Sequence, residues 1–169
     1  MAQAVASIVA AHGRIDIVVN AAGVAGGGPV HLVEEGEWDR VMDVVNVASI
    51  EGMEATEGGS VYNASKGGVI MLTKFMAIDY GATGIRVNAV CPGGIETPLL
   101  LGLINQPGME DYRSKMLGAH KLGRFGRPEE ISNAVLFLAS SEASFMTGSA
   151  MVVDGAMTAG LGVGFFGEF

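Results

Sequence analysis

Four short apolar runs rich in β-branched residues set the architecture: residues 15–20 (IDIVVN), 44–49 (VVNVAS), 85–91 (IRVNAVC) and 150–154 (AMVVD). Each run is nearly continuous rather than alternating. A strand with one wet face alternates polar and apolar residues, whereas a strand covered on both faces does not, which is the pattern of a parallel sheet. The intervening segments read as helices. Residues 2–11 carry Val5, Ile8 and Val9 on one face and end before Gly13, a helix-stop glycine. Residues 37–43 form a short candidate helix. Residues 61–80 form a long one that stops at Gly81. Residues 128–139 open with Pro128, Glu129 and Glu130, which suit the positive end of a helix. Strands alternating with helices imply βαβ units. The expected fold is therefore α/β: a single domain over residues 1–169, with a Rossmann-like parallel sheet of about four strands and helices on both faces.

Composition narrows the class. The chain has 169 residues, 49% hydrophobic and 17% charged, enough to bury a core. Lys and Arg number 10 against 18 Asp and Glu, a net charge of −8, so no basic footprint for nucleic acid or anionic membrane is expected. No apolar stretch is long enough for a membrane span, and the first residues lack a basic leader. Cys91 is the single cysteine, which excludes a disulfide framework and points to a reducing, cytoplasmic compartment. His12, His31 and His120 are isolated, so no metal site is expected.

Chemistry concentrates after the strands, where open α/β sheets bind ligands. In Tyr62-Asn-Ala-Ser-Lys66 the tyrosine and lysine share one helix face. A cation beside a phenol favours the phenolate, so Tyr62 is expected to titrate below ~10 and to exchange a proton near neutral pH. A buried tyrosine beside a solvated lysine gives the same spacing. Ser49 ends an apolar run 13 residues before Tyr62, placed to donate a hydrogen bond into the crevice or simply to cap a turn. Asn20-Ala-Ala-Gly23 follows the first strand with small residues that permit close backbone approach. Pro92-Gly-Gly-Ile-Glu-Thr97 follows the third and can wrap a flat polar ligand. Either loop read alone is also an ordinary turn.

Taken in order, these motifs resemble the short-chain dehydrogenase/reductase family. The resemblance extends over residues 2–159 and includes Val45-Asn-Val-Ala-Ser49, Arg86-Val-Asn-Ala-Val-Cys-Pro-Gly93, Gly126-Arg-Pro-Glu-Glu130 and Val153-Asp-Gly155. It implies Tyr62 as general acid/base, Lys66 as the cation that lowers its pKa and holds the nicotinamide ribose, and Ser49 as the group orienting a substrate carbonyl. It also implies that Asn20 and Gly23 line an NAD or NADP cleft. Pro92 and Gly93 belong to the same cofactor side, with Ile95 and Thr97 meeting the carboxamide.

The sequence departs from the family twice. Family members open with a strand and a Gly-rich turn whose N–H groups cradle a pyrophosphate. Nothing before Ala21 resembles it, so the chain reads as truncated and its nicotinamide binding as weakened. A long family helix is also missing where Trp38-Asp-Arg-Val-Met-Asp43 passes directly into the second apolar run. Three functions fit: a nicotinamide-dependent oxidoreductase acting on a small secondary alcohol or ketone; a cofactor-free acid/base enzyme using Ser49, Tyr62 and Lys66 for retro-aldol cleavage, elimination or ester hydrolysis; and a non-catalytic fragment. The Leu- and Met-rich segment 99–122 either covers an apolar substrate or packs on the core. The second half of the long helix is apolar all round, so a homodimer or higher homo-oligomer is expected.

Overall fold

The computed structural model describes residues 2–21 and 41–160. In chain order the elements are α1 (Ala2–His12), β1 (Ile15–Asn20), β2 (Val41–Val47), a 3-10 turn (Ile50–Gly52), α2 (Ser60–Tyr80), β3 (Arg86–Pro92), α3 (Pro98–Ile104), α4 (Glu110–Ala119), α5 (Pro128–Leu138) and β4 (Ala150–Val153). The four strands form one parallel sheet in the order β1-β2-β3-β4. This is the α/β sheet that the apolar runs imply.

Side-chain alternation splits the core into two layers. Val44, Val87, Ala89 and Cys91 face the side that carries α2, with Val5 and Val9 of α1 joining Val44 and Val87. Val45 and Val90 face the other way and meet Leu138, Ile131 and Val135 of α5. Both faces of β2 and β3 are therefore dry, which is why those strands carry continuous apolar runs, whereas Ile17 and Val19 of the edge strand β1 are 45% and 46% exposed.

Two local expectations are corrected. Residues 41–43 belong to β2 rather than to a helix, while residues 37–40 lie outside the described residues. The polar member of that stretch, Asp43, is matched across the ladder with Arg86, and the two side chains pair at 2.8 Å while only 16% and 15% exposed. Arg86 also donates to the carbonyls of Leu138, Ser140 and Ala143, tying the end of α5 to the sheet. A carboxylate with such a partner can occupy a strand. Gly81 does not terminate the long helix with a left-handed turn: it keeps φ −57° and the chain continues through a 3-10 turn, Gly81–Thr83. The reversal falls at Gly84, φ +88°, a conformation that suits glycine. The expected stop at Gly13 is present, with φ +80°.

Helix α2 buries Ile70, Thr73, Met76 and Ala77, but leaves Met71, Phe75 and Ile78 54%, 61% and 80% exposed. The sheet covers one side of it and nothing among the described residues covers the other.

Candidate active site

Parallel topology brings the carboxyl ends of β2 and β3 to one edge, and the reactive groups gather there. Beyond β2, Ser49 sits in extended backbone and its hydroxyl accepts from the N–H of Glu51 at 3.1 Å, capping the turn Ile50–Gly52. It is buried. The same hydroxyl interacts with that of Tyr62, in the first turn of α2. Ser49 thus does both things its position allowed, capping a turn and facing the tyrosine. One turn further along α2, Lys66 donates to the carbonyl of Val47 at 3.0 Å, and its ammonium lies 5.6 Å from the centre of the Tyr62 ring. Ser49, Tyr62 and Lys66 are brought together.

Gly52 makes this approach possible. A Cβ there would lie 2.6 Å from the carbonyl carbon of Lys66 and 2.8 Å from the nitrogen of Gly67, so only glycine lets the serine turn rest directly on α2.

Tyr62 does not titrate below its usual value. Burial raises its pKa; the Ser49 interaction pulls it down, and the Glu51 carboxylate raises it further. Lys66 is turned toward the Val47 carbonyl, and its own pKa is lowered by burial, against a smaller upward influence of Cys91. The cation is thus committed to the backbone, and the tyrosine stays protonated at neutral pH. Cys91 is buried, which pushes its thiol up, while the Ser49 backbone and the Lys66 ammonium pull it down by lesser amounts.

The second wall is the loop from Pro92 to Thr97. Gly93 N–H donates to Val153 at 3.1 Å, Gly94 N–H to the His120 ring at 2.9 Å, and Glu96 N–H to Gly126 at 2.8 Å. Ile95 forms a parallel bridge with Gly126. Among the described residues, the N–H of half-buried Ile95 has no acceptor. Thr97 caps α3, its hydroxyl accepting from Leu100 N–H at 3.3 Å. Asn20 is placed less directly: its amide donates to Asn46 at 2.8 Å, and Asn46 donates to Thr73 at 3.0 Å, a polar thread running from β1 to α2. Gly23 lies outside the described residues.

Sequence reasoning missed Glu51, Gly52 and His120. The glycine closely following a strand-end serine was a legible signal for Gly52. Nothing in the sequence distinguished His120. No group of His, Cys, Asp and Glu suited to a metal occurs among the described residues.

The chain is thus an α/β protein whose parallel sheet carries at its carboxyl edge a serine, Ser49, facing a tyrosine and a lysine one helical turn apart, Tyr62 and Lys66. Comparison with known proteins is specific. Residues 43–158 match the enoyl-(acyl carrier protein) reductase model of the short-chain dehydrogenases, and residues 1–44 match the short chain dehydrogenase model. The chain is 37% identical to 2-(S)-hydroxypropyl-CoM dehydrogenase 3 of Xanthobacter autotrophicus, over 87% of this chain and 68% of that protein. It is 39% identical to cyclopentanol dehydrogenase of Comamonas testosteroni, over 92% and 71%. The ligand-free structure of Thermoplasma acidophilum aldohexose dehydrogenase superposes with a TM-score of 0.76 at 32% identity, over 95% of this chain and 74% of that one. This chain belongs to the short-chain dehydrogenase/reductase family.

The Xanthobacter alignment extends over 172 residues, to which this chain contributes about 147 (87% of 169), so about 25 positions of the relative have no counterpart here. The two family matches meet at Asp43 and Val44, where the sequence passes abruptly into the second apolar run.

Proposed function

We propose that the chain interconverts a secondary alcohol and its ketone, with Tyr62 as the proton-transferring group, Ser49 as the hydrogen-bond donor to the substrate oxygen and Lys66 as the cation beside them. The observation that carries this reading is the convergence of the Ser49 and Tyr62 hydroxyls at one sheet edge, with Lys66 anchored within reach. Both relatives named above act on alcohols, and their printed names fit secondary ones.

Family members generally use a nicotinamide cofactor, and the loop from Pro92 to Thr97 suits one: the free N–H of Ile95 can donate to a carboxamide oxygen, with the Thr97 hydroxyl close by. Pro92 and Gly93 shape that loop, Lys66 would meet the ribose, and Asn20 and Gly23 would border the cleft. A bound nicotinamide supplies or accepts the hydride. The chain's own residues handle the proton. In ketone reduction, protonated Tyr62 gives its proton to the carbonyl oxygen as that oxygen gains charge, while the Ser49 hydroxyl holds the same oxygen. In alcohol oxidation, the Tyr62 phenolate removes the hydroxyl proton. Because Tyr62 titrates above its usual value, reduction is favoured at neutral pH and oxidation at alkaline pH.

The substrate is small and at least partly apolar. Leu99, Leu101 and Leu103 on α3 are 77%, 36% and 44% exposed rather than packed on the core, which suits a cover over the site. The uncovered face of α2, with Met71, Phe75 and Ile78, suits a second copy of the chain, so the working form is a homo-oligomer. No helix among the described residues is long and apolar enough to cross a membrane. With one buried cysteine, a cytoplasmic location fits best.

The test is titration with NADH and NADPH followed by nicotinamide fluorescence, then turnover of cyclic and acyclic ketones. Saturable binding with turnover is expected. Turnover of an activated ester or halohydrin with no nicotinamide binding would replace this reading with cofactor-free acid/base catalysis.

A further inference from the structure

His120 is 2% exposed at the end of α4, and its ring is fixed on every side. Nδ1 lies 2.8 Å from the Met116 carbonyl oxygen, so it carries a proton and donates. Nε2 lies 2.9 Å from the nitrogen of Gly94, which can only donate, so Nε2 is the bare acceptor of a neutral imidazole. The Phe125 ring stands edge-on to it, with centroids 5.4 Å apart at 78°. The contact with the loop is close. A Cβ on Gly94 would lie 2.9 Å from His120 Cε1, and one on Gly93 would lie 3.1 Å from His120 Nε2.

Two successive glycines give a backbone wide conformational freedom, and a loop that presents a hydrogen-bond donor must suppress it. Gly94 is held from both sides. His120 takes its N–H, and Gly126 N–H donates to its carbonyl at 2.9 Å. That carbonyl shares a planar trans peptide with the N–H of Ile95, so fixing one points the other in the opposite direction. Among the described residues, the Ile95 N–H is the loop's donor left without an acceptor.

We infer that His120 is a positioning residue for the nicotinamide-facing loop, its Nε2 pinning Gly94 so that the Ile95 N–H is aimed at the cofactor before it arrives. This rests on the nicotinamide reading above. His120 touches neither cofactor nor substrate and acts through Gly94.

The ring's two nitrogens can be separated by substitution. His120→Gln can place an amide oxygen near the position of Nε2 and keep an acceptor for Gly94. His120→Asn keeps a polar group near Nδ1 for Met116 and loses that acceptor. Amide hydrogen exchange at Gly94 and Ile95, followed by NMR, reads the pinning without any activity. The KM for nicotinamide, set against kcat, reads its consequence. Asn is expected to speed Gly94 exchange and raise the nicotinamide KM by roughly tenfold each, with kcat changed less, whereas Gln stays within about threefold of the parent in both. A merely structural histidine would lower thermal stability in both variants without separating them.

Equal exchange in the two folded variants overturns the inference. If neither variant folds, imidazole 15N shifts of the parent protein decide: an unprotonated Nε2 at neutral pH with a protected Gly94 amide supports it, and a protonated Nε2 overturns it. Nicotinamide binding with no difference between variants would remove the pinning and leave the oxidoreductase reading intact. Split exchange in a protein that binds no nicotinamide would keep the pinning and remove that reading.

Discussion

Replacing Gly52 by alanine tests how the serine turn is held against α2. The new Cβ would lie 2.6 Å from the carbonyl carbon of Lys66, and ordinary contact begins near 3.4 Å. The neighbour is helix backbone, which yields far less than a side chain, so the turn must retreat by about 0.8 Å. Gly52 N–H bonds to the Ser49 carbonyl at 3.0 Å, so the retreat carries Ser49 with it. Overpacking of this kind typically costs about 1–3 kcal/mol of stability. A displacement near 1 Å in a positioned catalytic group can cost about 10²-fold in rate. The expected result is a kcat roughly a hundredfold lower in protein that remains folded. Gly68→Ala, on α2 where an added Cβ meets nothing within 4 Å, is the control. Removing a mid-helix glycine should stabilise by up to about 1 kcal/mol and leave kcat unchanged. Urea unfolding and steady-state kinetics on both variants decide the matter. A Gly52→Ala enzyme with parental kcat would refute the claim that this contact sets the position of Ser49.

Arg86→Met strands the Asp43 carboxylate in a largely buried site and removes the donor to three carbonyls, so urea unfolding should show a loss of about 3–5 kcal/mol; less than 1 kcal/mol would contradict the pairing. Glu51→Gln removes a charge that holds the Tyr62 pKa up, so the alkaline rise of alcohol oxidation in a kcat/KM–pH profile should move to lower pH, and a shift to higher pH would be the wrong sign. A raised Tyr62 pKa also means a stability contribution that is intact below the usual ~10 and lost as pH rises through the folded value; Tyr62→Phe should remove that alkaline loss in a stability–pH series. Analytical ultracentrifugation should find a dimer or larger assembly, and Phe75→Glu with Ile78→Glu should return it to monomers; a parent protein already monomeric at micromolar concentration contradicts the covered-face reading.

The sheet was legible because β2 and β3 are dry on both faces and record that as unbroken apolar runs, and the edge strand β1 carries the same kind of run although Ile17 and Val19 are exposed. Ile15–Asn20 matches its strand to the residue. The start of β2 was hidden by Asp43, whose partner Arg86 is 43 residues away in sequence and adjacent only once the sheet forms. The reactive trio was legible because Tyr62 and Lys66 are local neighbours on one helix and Ser49 ends an apolar run. Their electrostatics were not legible. Spacing places Lys66 near Tyr62, but only the fold shows that the ammonium is turned to the Val47 carbonyl and that Glu51 stands near the phenol. His120 left no mark because its partners, Met116, Gly94 and Phe125, come from the end of one helix and two separate loops.

Tyr62→Phe tests the central claim most directly. The substitution keeps the ring and removes the hydroxyl that carries the transferable proton, so packing and folding should be preserved. Positioned acid/base groups contribute about 10²–10⁴-fold in rate, and ketone reduction by the variant should fall by that factor at saturating nicotinamide, with cofactor affinity little changed. Undiminished turnover by a correctly folded Tyr62→Phe protein would show that the convergence of Ser49, Tyr62 and Lys66 is not where the proton moves.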